Sequence, residues 1–239
     1  MIDGKYFERI CGEFIFILLA FIVYVFIYNS KNYKKTKIIL FTYVIVLSIL
    51  SYLFRPFCVI DLTNLQGYLK PYYSHLTWNQ MVDNMLNTPD FARYFYFFLI
   101  AKTGDPNLLQ TFVTTIVYSI IFYTIYDYSK LKNYDTKVVA KTVFLFMMFG
   151  QYIDLISGIR STTAFALFYF CIYREFFQNK SILINIPLYL LSFGFHIAVV
   201  PAIGIRLLFL IFQKEQNFIK KLLNFLIFIF SSGGNSLST

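Results

Sequence analysis

The chain has 239 residues, of which 58% are hydrophobic, 21% are aromatic and only 14% carry charge. With a mean hydropathy of +0.62, that composition excludes on sequence grounds an ordinary soluble domain, in which about 25% of residues are charged. The net charge of +9 sits in short lysine-rich segments between apolar runs, so membrane sidedness explains it better than a nucleic-acid partner, and none is expected.

Apolar runs of about 15–20 residues, the length needed to cross a hydrocarbon core, recur along the chain. The first, Phe14–Tyr28, lacks a small-residue cleavage site after it and reads as a retained helix. Next come Ile38–Phe54, Leu108–Tyr128, Val138–Ile153 and Thr162–Tyr173, then Ile182–Phe195, Ala198–Phe212 and Leu222–Phe230. The patch Tyr94–Ala101 is too short to cross. The expected fold is all-α, a polytopic transmembrane helical bundle of about seven to eight spans plus one short re-entrant or interfacial segment. It forms a single membrane-embedded domain over residues 1–230, with an outer loop at about 55–107 and a polar, disordered tail over 231–239.

Lysines orient the expected bundle. Lys31, Lys34, Lys35 and Lys37 lie in "NSKNYKKTK", and Lys130, Lys132 and Lys137 in "SKLKNYDTK". Arg174 with Lys180, and Lys214 with Lys220 and Lys221, follow. With all four segments inside, the chain is a multi-pass protein of the cytoplasmic membrane with its N-terminus extracytoplasmic. Arg55, Asp61, Tyr68, His75, Arg93, Asp154, Arg160 and His196 then gather at the outer face, where no nucleotide is available. A substrate there must arrive already activated, for example on a lipid carrier.

Arg160 is the leading candidate. It follows Gly158 at the head of an apolar run, where a guanidinium beside free helix N–H groups makes an anion site; the competing reading is an interface arginine reaching for lipid phosphates. His196 ends an apolar helix five residues before Pro201 and suits a general base or a donor to a leaving phosphate, or is simply a satisfied helix-end residue. Arg206, about 15 Å deeper along a helix, faces a cavity or the inner interface. In "RPFCVIDLTNLQGY", Arg55, Asp61 and Tyr68 offer an acid and an aromatic to grip a sugar, or form an ordinary capped loop. Arg93 follows Asp90, which reads as a helix N-cap. Cys11, Cys58 and Cys171 show no CxxC spacing, and no HExxH, Gly-rich phosphate loop or paired acid occurs. Neither a metal nor any other cofactor is expected.

The order of these features, with "DFARYFYFFLIAKTGDPNLLQTF", "ISGIRSTTAFALF" and "LSFGFHIAVVPAI", resembles the EpsG family of exopolysaccharide polymerases, which are related in role to the Wzy-type enzymes. The resemblance implies a capsule or exopolysaccharide polymerase, a metal-independent membrane glycosyltransferase joining repeat units on the outer face. Its substrates would be polyprenyl-diphosphate-linked oligosaccharides, the undecaprenyl diphosphate serving as donor carrier, within the lipid bilayer and beside other polysaccharide-assembly membrane proteins. Arg160 would hold the donor diphosphate with Arg55, Arg93 or Arg206 as second clamp, and His196 or Asp61 would take the acceptor proton. A flippase or transporter of lipid-linked sugars, a membrane acyltransferase and an inactive truncated remnant are the alternatives.

Overall fold

A computed structural model describes residues 4–54, 61–150 and 152–213. The chain divides into two compact units, residues 1–199 and 200–239. The first contains α1 (Gly4–Tyr28), α2 (Tyr33–Leu53), α3 (Asp61–Leu69), a 3-10 turn at Tyr73–His75, α4 (Trp78–Leu86) and α5 (Phe91–Thr103). It continues with α6 (Leu108–Leu131), α7 (Thr136–Phe149), α8 (Tyr152–Ser157), α9 (Ile159–Phe176), α10 (Ile182–Phe195) and a 3-10 turn at Ile197–Val199. The described part of the second unit is one helix, α11 (Val200–Gln213).

Local chemistry marks many of the helix boundaries. Asn32, Asp135 and Ser181 accept hydrogen bonds from the opening turns of α2, α7 and α10, and Thr77 with Gln80 forms a reciprocal capping box at α4. α5 closes on Gly104, whose φ of 77° suits a residue without Cβ.

Two cores hold the first unit. In one, α1 buries Phe16, Ala20, Val23 and Ile27, α2 buries Leu40, Tyr43, Val44 and Leu47, and α7 buries Val139, Ala140, Val143 and Met147. These spacings of three and four place each set on one helix face. Tyr43 stacks on Phe122 of α6 at 5.6 Å, and Phe16 on Tyr152 of α8 at 4.7 Å. The second core joins Leu62, Leu65 and Leu69 of α3 to Phe97 and Phe98 of α5 and Leu109, Val113 and Val117 of α6. α6 therefore serves both cores and also packs on α9, which packs on α10.

Tyr118 of α6 is fully buried and its hydroxyl finds no partner among the described residues. A buried unpaired hydroxyl destabilises the fold. Tyr118→Phe should therefore leave stability unchanged or raise it by up to about 1 kcal/mol, read as the midpoint of thermal or denaturant unfolding.

The all-α reading agrees with these helices, but the expected bundle of seven to eight spans is not what forms. Among the described residues, two helices are long and apolar enough to cross a membrane by length and composition, Tyr33–Leu53 and Leu108–Leu131. The run Val138–Ile153 breaks at Gly150, where a Cβ would come within 2.8 Å of the Phe146 carbonyl oxygen. The helix over Thr162–Tyr173 carries Arg160, Arg174 and Glu175 within its bounds, and α10 and α11 have 14 residues each. Many of the residues that make these runs apolar are buried against neighbouring helices, and a count of apolar residues cannot tell such a core face from a lipid face.

The multi-pass localisation with an outward N-terminus and the polymerase function built on it are corrected with the span count. From Asp61, the segment expected as an outer loop is largely helical and contributes to the second core. Tyr94–Ala101 lies inside α5, a core helix that buries Phe97, Phe98 and Ile100 rather than a re-entrant segment. The run Leu222–Phe230 and the tail 231–239 lie outside the described residues.

Candidate functional site

Two ion pairs lie where α3, α5 and α9 begin, and α3 packs against α5. Asp61 occupies the first turn of α3, and Arg160 the first turn of α9. Nη2 of Arg160 lies 3.2 Å from Oδ2 of Asp61, with side-chain exposures of 32% and 44%. Gly158 shapes this start: a Cβ there would lie 2.9 Å from Thr162 Oγ1 and 3.3 Å from the Asp154 carbonyl. A side chain there would require Thr162 to turn its hydroxyl aside.

Arg93 forms the second ion pair, with Nη1 3.1 Å from Oδ2 of Asp90, and both side chains are 17% exposed. Asp90 immediately precedes α5 but makes no side-chain cap; its carboxylate turns to Arg93 instead. The Arg93 guanidinium also lies 5.3 Å from the centroid of the Tyr94 ring. Its Nε, Oδ1 of Asp90 and Oγ1 of Thr88 are buried without hydrogen-bond partners among the described residues.

Tyr73 lies beside the Arg93 pair, its ring 5.7 Å from the Tyr94 ring that Arg93 covers. Burial, reinforced by Tyr94, pushes its phenol up to about 12, while Arg93 and, less strongly, Arg160 pull it down. The phenol therefore keeps its proton across the physiological range. The ring is held by Phe97 at 5.5 Å and Tyr72 at 4.9 Å.

His196 ends α10 in extended conformation, and its Nδ1 is buried without a partner among the described residues. Two contacts bring this end of α10 to the start of α5: a Cβ on Gly194 would meet the Phe91 ring at 2.6 Å, and Phe195 packs against Tyr96 at 5.9 Å. Tyr68 is 62% exposed. Arg206 belongs to the second unit, where its guanidinium lies 5.6 Å from the Phe209 ring. Arg55 lies outside the described residues.

The two ion pairs differ in what they permit. Each arginine makes a single-oxygen contact with its carboxylate, so part of each five-donor fork remains for another anion. The Arg160–Asp61 pair is substantially exposed and is worth about 0–1 kcal/mol, so an incoming anion can displace Asp61 at little cost. The Arg93–Asp90 pair is more enclosed and serves as the fixed part. Among the described residues, no three His, Cys, Asp or Glu side chains gather as metal ligands.

An apolar groove of about 690 Å3 runs between α6, α7, α8 and α9 and is lined by Val117, Phe146, Leu155, Phe165 and Tyr169. Phe165 and Tyr169 lie five and nine residues beyond Arg160, roughly half a turn round the helix. The groove therefore opens on the face of α9 turned away from the arginine.

Tyr73, Thr88 and Gln110 escape a reading of the sequence. Gln110 alone left a signal, as a polar side chain within the apolar run "LLQTFVTTIVYS". It is fully buried and accepts a hydrogen bond at 2.8 Å from Gln66 of α3, the helix that carries Asp61. No family model, curated protein or solved structure matches the chain, so no EpsG-family or glycosyltransferase signature stands behind the resemblance drawn from its motifs.

Proposed function

We propose that the cluster of Arg160, Arg93, Tyr73 and Asp61 binds a phosphate or diphosphate ester. The diphosphate of a polyprenyl-linked oligosaccharide belongs to this ligand class. The observation that carries the reading is that two arginines on separate helices, each held by one carboxylate oxygen, keep guanidinium donors uncommitted, while the turn carrying Tyr73 packs on both α3 and α5. One enclosed cation, one more exposed cation and a neutral donor favour a multivalent oxyanion, because charge-assisted hydrogen bonds are stronger in a partly dry setting than in water. Asp61 acts as the resident counter-anion, occupying Arg160 until a ligand displaces it.

Titration of the full chain in detergent with inorganic pyrophosphate, and in parallel with a short prenyl diphosphate, tests this. Arg160→Gln and Arg93→Gln should each raise Kd about tenfold, the loss of one charge-assisted contact of about 1.5 kcal/mol. Asp61→Asn should do the reverse and lower Kd by up to about fivefold, because it removes the competing carboxylate. Unchanged affinity in Arg160→Gln, or weaker binding in Asp61→Asn, would refute the assignment. A prenyl diphosphate that binds more tightly than pyrophosphate would add an apolar subsite; equal affinities would confine recognition to the phosphates.

A further inference from the structure

The end of the first unit remote from this cluster is built from three helix turns: 29–32 between α1 and α2, 132–135 between α6 and α7, and 177–181 between α9 and α10. Side chains tie them together. Thr136 donates to the Ser30 carbonyl, and the Tyr33 hydroxyl donates to the Tyr134 carbonyl. Gln178 donates to Asp127 at 2.7 Å and to the Tyr123 hydroxyl at 2.9 Å. Tyr128 packs on Tyr134 at 6.1 Å and on Phe177 at 4.9 Å. Three segments far apart in sequence thus form one surface.

That surface is strongly basic. Lys31, Lys34, Lys35 and Lys37 surround the first turn, Lys130, Lys132 and Lys137 the second, and Arg174 and Lys180 the third. Against these nine cations stand three acids, Asp127, Asp135 and Glu175, a surplus of six. All three acids are already engaged: Asp127 accepts from Tyr173 and Gln178, Asp135 caps α7, and Glu175 accepts from Asn185 at 3.1 Å. The lysines are exposed, and both ion pairs found among the described residues lie at the other end of the unit. There acids outnumber bases, with Asp61, Asp83, Asp90, Asp105 and Asp154 against Lys70, Arg93, Lys102 and Arg160.

The neighbours of the lysines select the partner. Ile38 and Phe41 beside Lys37, Leu131 and Tyr134 beside Lys132, and Leu183 and Ile184 beyond Lys180 are all exposed. A nucleic acid would neutralise the lysines but leave these apolar groups in water. A lipid surface takes both, acidic headgroups meeting the ammonium groups while aromatic and aliphatic side chains enter the acyl boundary. We propose that this end of the first unit binds a phospholipid surface rich in acidic headgroups. The contact requires no helix to cross the bilayer and is independent of the phosphate site.

The full chain, purified in dodecyl maltoside with equimolar phosphatidylglycerol and phosphatidylcholine, should retain phosphatidylglycerol at least about fivefold over phosphatidylcholine, quantified by mass spectrometry. Replacing Lys34, Lys35, Lys130 and Lys132 by Gln should bring that ratio to within about twofold of unity, and replacing the same four by Arg should preserve it. Should the Gln variant unfold, a salt series on the unaltered protein decides: a preference that survives 0.5 M NaCl undiminished counts against the proposal, since screening must weaken it. Equal retention of the two lipids by the unaltered protein, or a preference unmoved in a folded Gln variant, would overturn it. So would tighter binding of a 20-nucleotide single strand than of phosphatidylglycerol at the same salt, which would assign the surface to nucleic acid.

Discussion

Gly194→Ala should lower the stability of the first unit by about 2–3 kcal/mol, at the upper end for overpacking by one methyl group. The new Cβ would lie 2.6 Å from Cζ of Phe91 and 2.8 Å from both Cε atoms, closer than carbon atoms approach. The ring cannot simply tilt away, because three of its atoms face the glycine at once and Phe193 stands 6.5 Å from it. Phe91 opens α5, between Asp90 and Arg93, so displacing its ring also displaces the enclosed ion pair. Pyrophosphate affinity should fall severalfold together with the unfolding midpoint. The discriminating measurement is a double-mutant cycle with Phe91→Leu, whose shorter side chain vacates the space. The alanine should cost less than half as much in that background. Equal damage in both backgrounds would show that the clash lies elsewhere.

The sequence discloses individual polar residues better than their surroundings. Arg160, Asp61, Arg93 and His196 stand out because ionisable side chains are rare in so apolar a chain, and the structure pairs the first two at 3.2 Å. The pairing spans 99 residues, and no local pattern encodes a partner that distant. Tyr73 is invisible for another reason. It is one of 20 tyrosines, and only the packing of α5 against the 3-10 turn gives it a special environment. Asp90 shows how one signal has two outcomes: an acid just before a helix reads as a cap, but an arginine three residues on competes for the same carboxylate.

Helix positions were legible to within a few residues at Ile182–Phe195 and Leu108–Tyr128, because uninterrupted apolar runs bounded by polar caps leave little choice. What those helices pack against was not. Phe16, Ala20, Val23 and Ile27 repeat at helical spacing whether they meet lipid or α7, and here they meet the core. Counting such faces as membrane spans produced the expected seven to eight crossings, and the polymerase reading inherited the error. The segment after Asp61 failed in the opposite direction: short helices of nine residues with mixed faces look like loop when apolar length is the criterion.

Gln110→Leu should cost about 2–3 kcal/mol although it nearly preserves side-chain volume and adds apolar surface. The fully buried Gln110 amide donates to the carbonyls of Ser51 at 3.1 Å and Phe54 at 3.2 Å. Its oxygen accepts from Gln66 Nε2 at 2.8 Å. One side chain thus joins the end of α2, the start of α6 and the middle of α3. Leucine would leave the buried Ser51 carbonyl and the partly buried Phe54 carbonyl and Gln66 amide without that partner, and desolvation without compensation outweighs the gain in hydrophobicity. The effect should extend to the site, because Gln66 and Asp61 share a helix of nine residues whose position depends on this junction. With α3 loosened, Asp61 competes less well for Arg160, so pyrophosphate should bind no more weakly than to the unaltered protein even as the denaturant midpoint falls. That combination separates a positioning role for Gln110 from membership of the binding site. A midpoint within about 0.5 kcal/mol of the parent, the range of an ordinary surface substitution, would mean that the junction does not hold α3. A loss of pyrophosphate affinity at a normal midpoint would place Gln110 against the ligand instead.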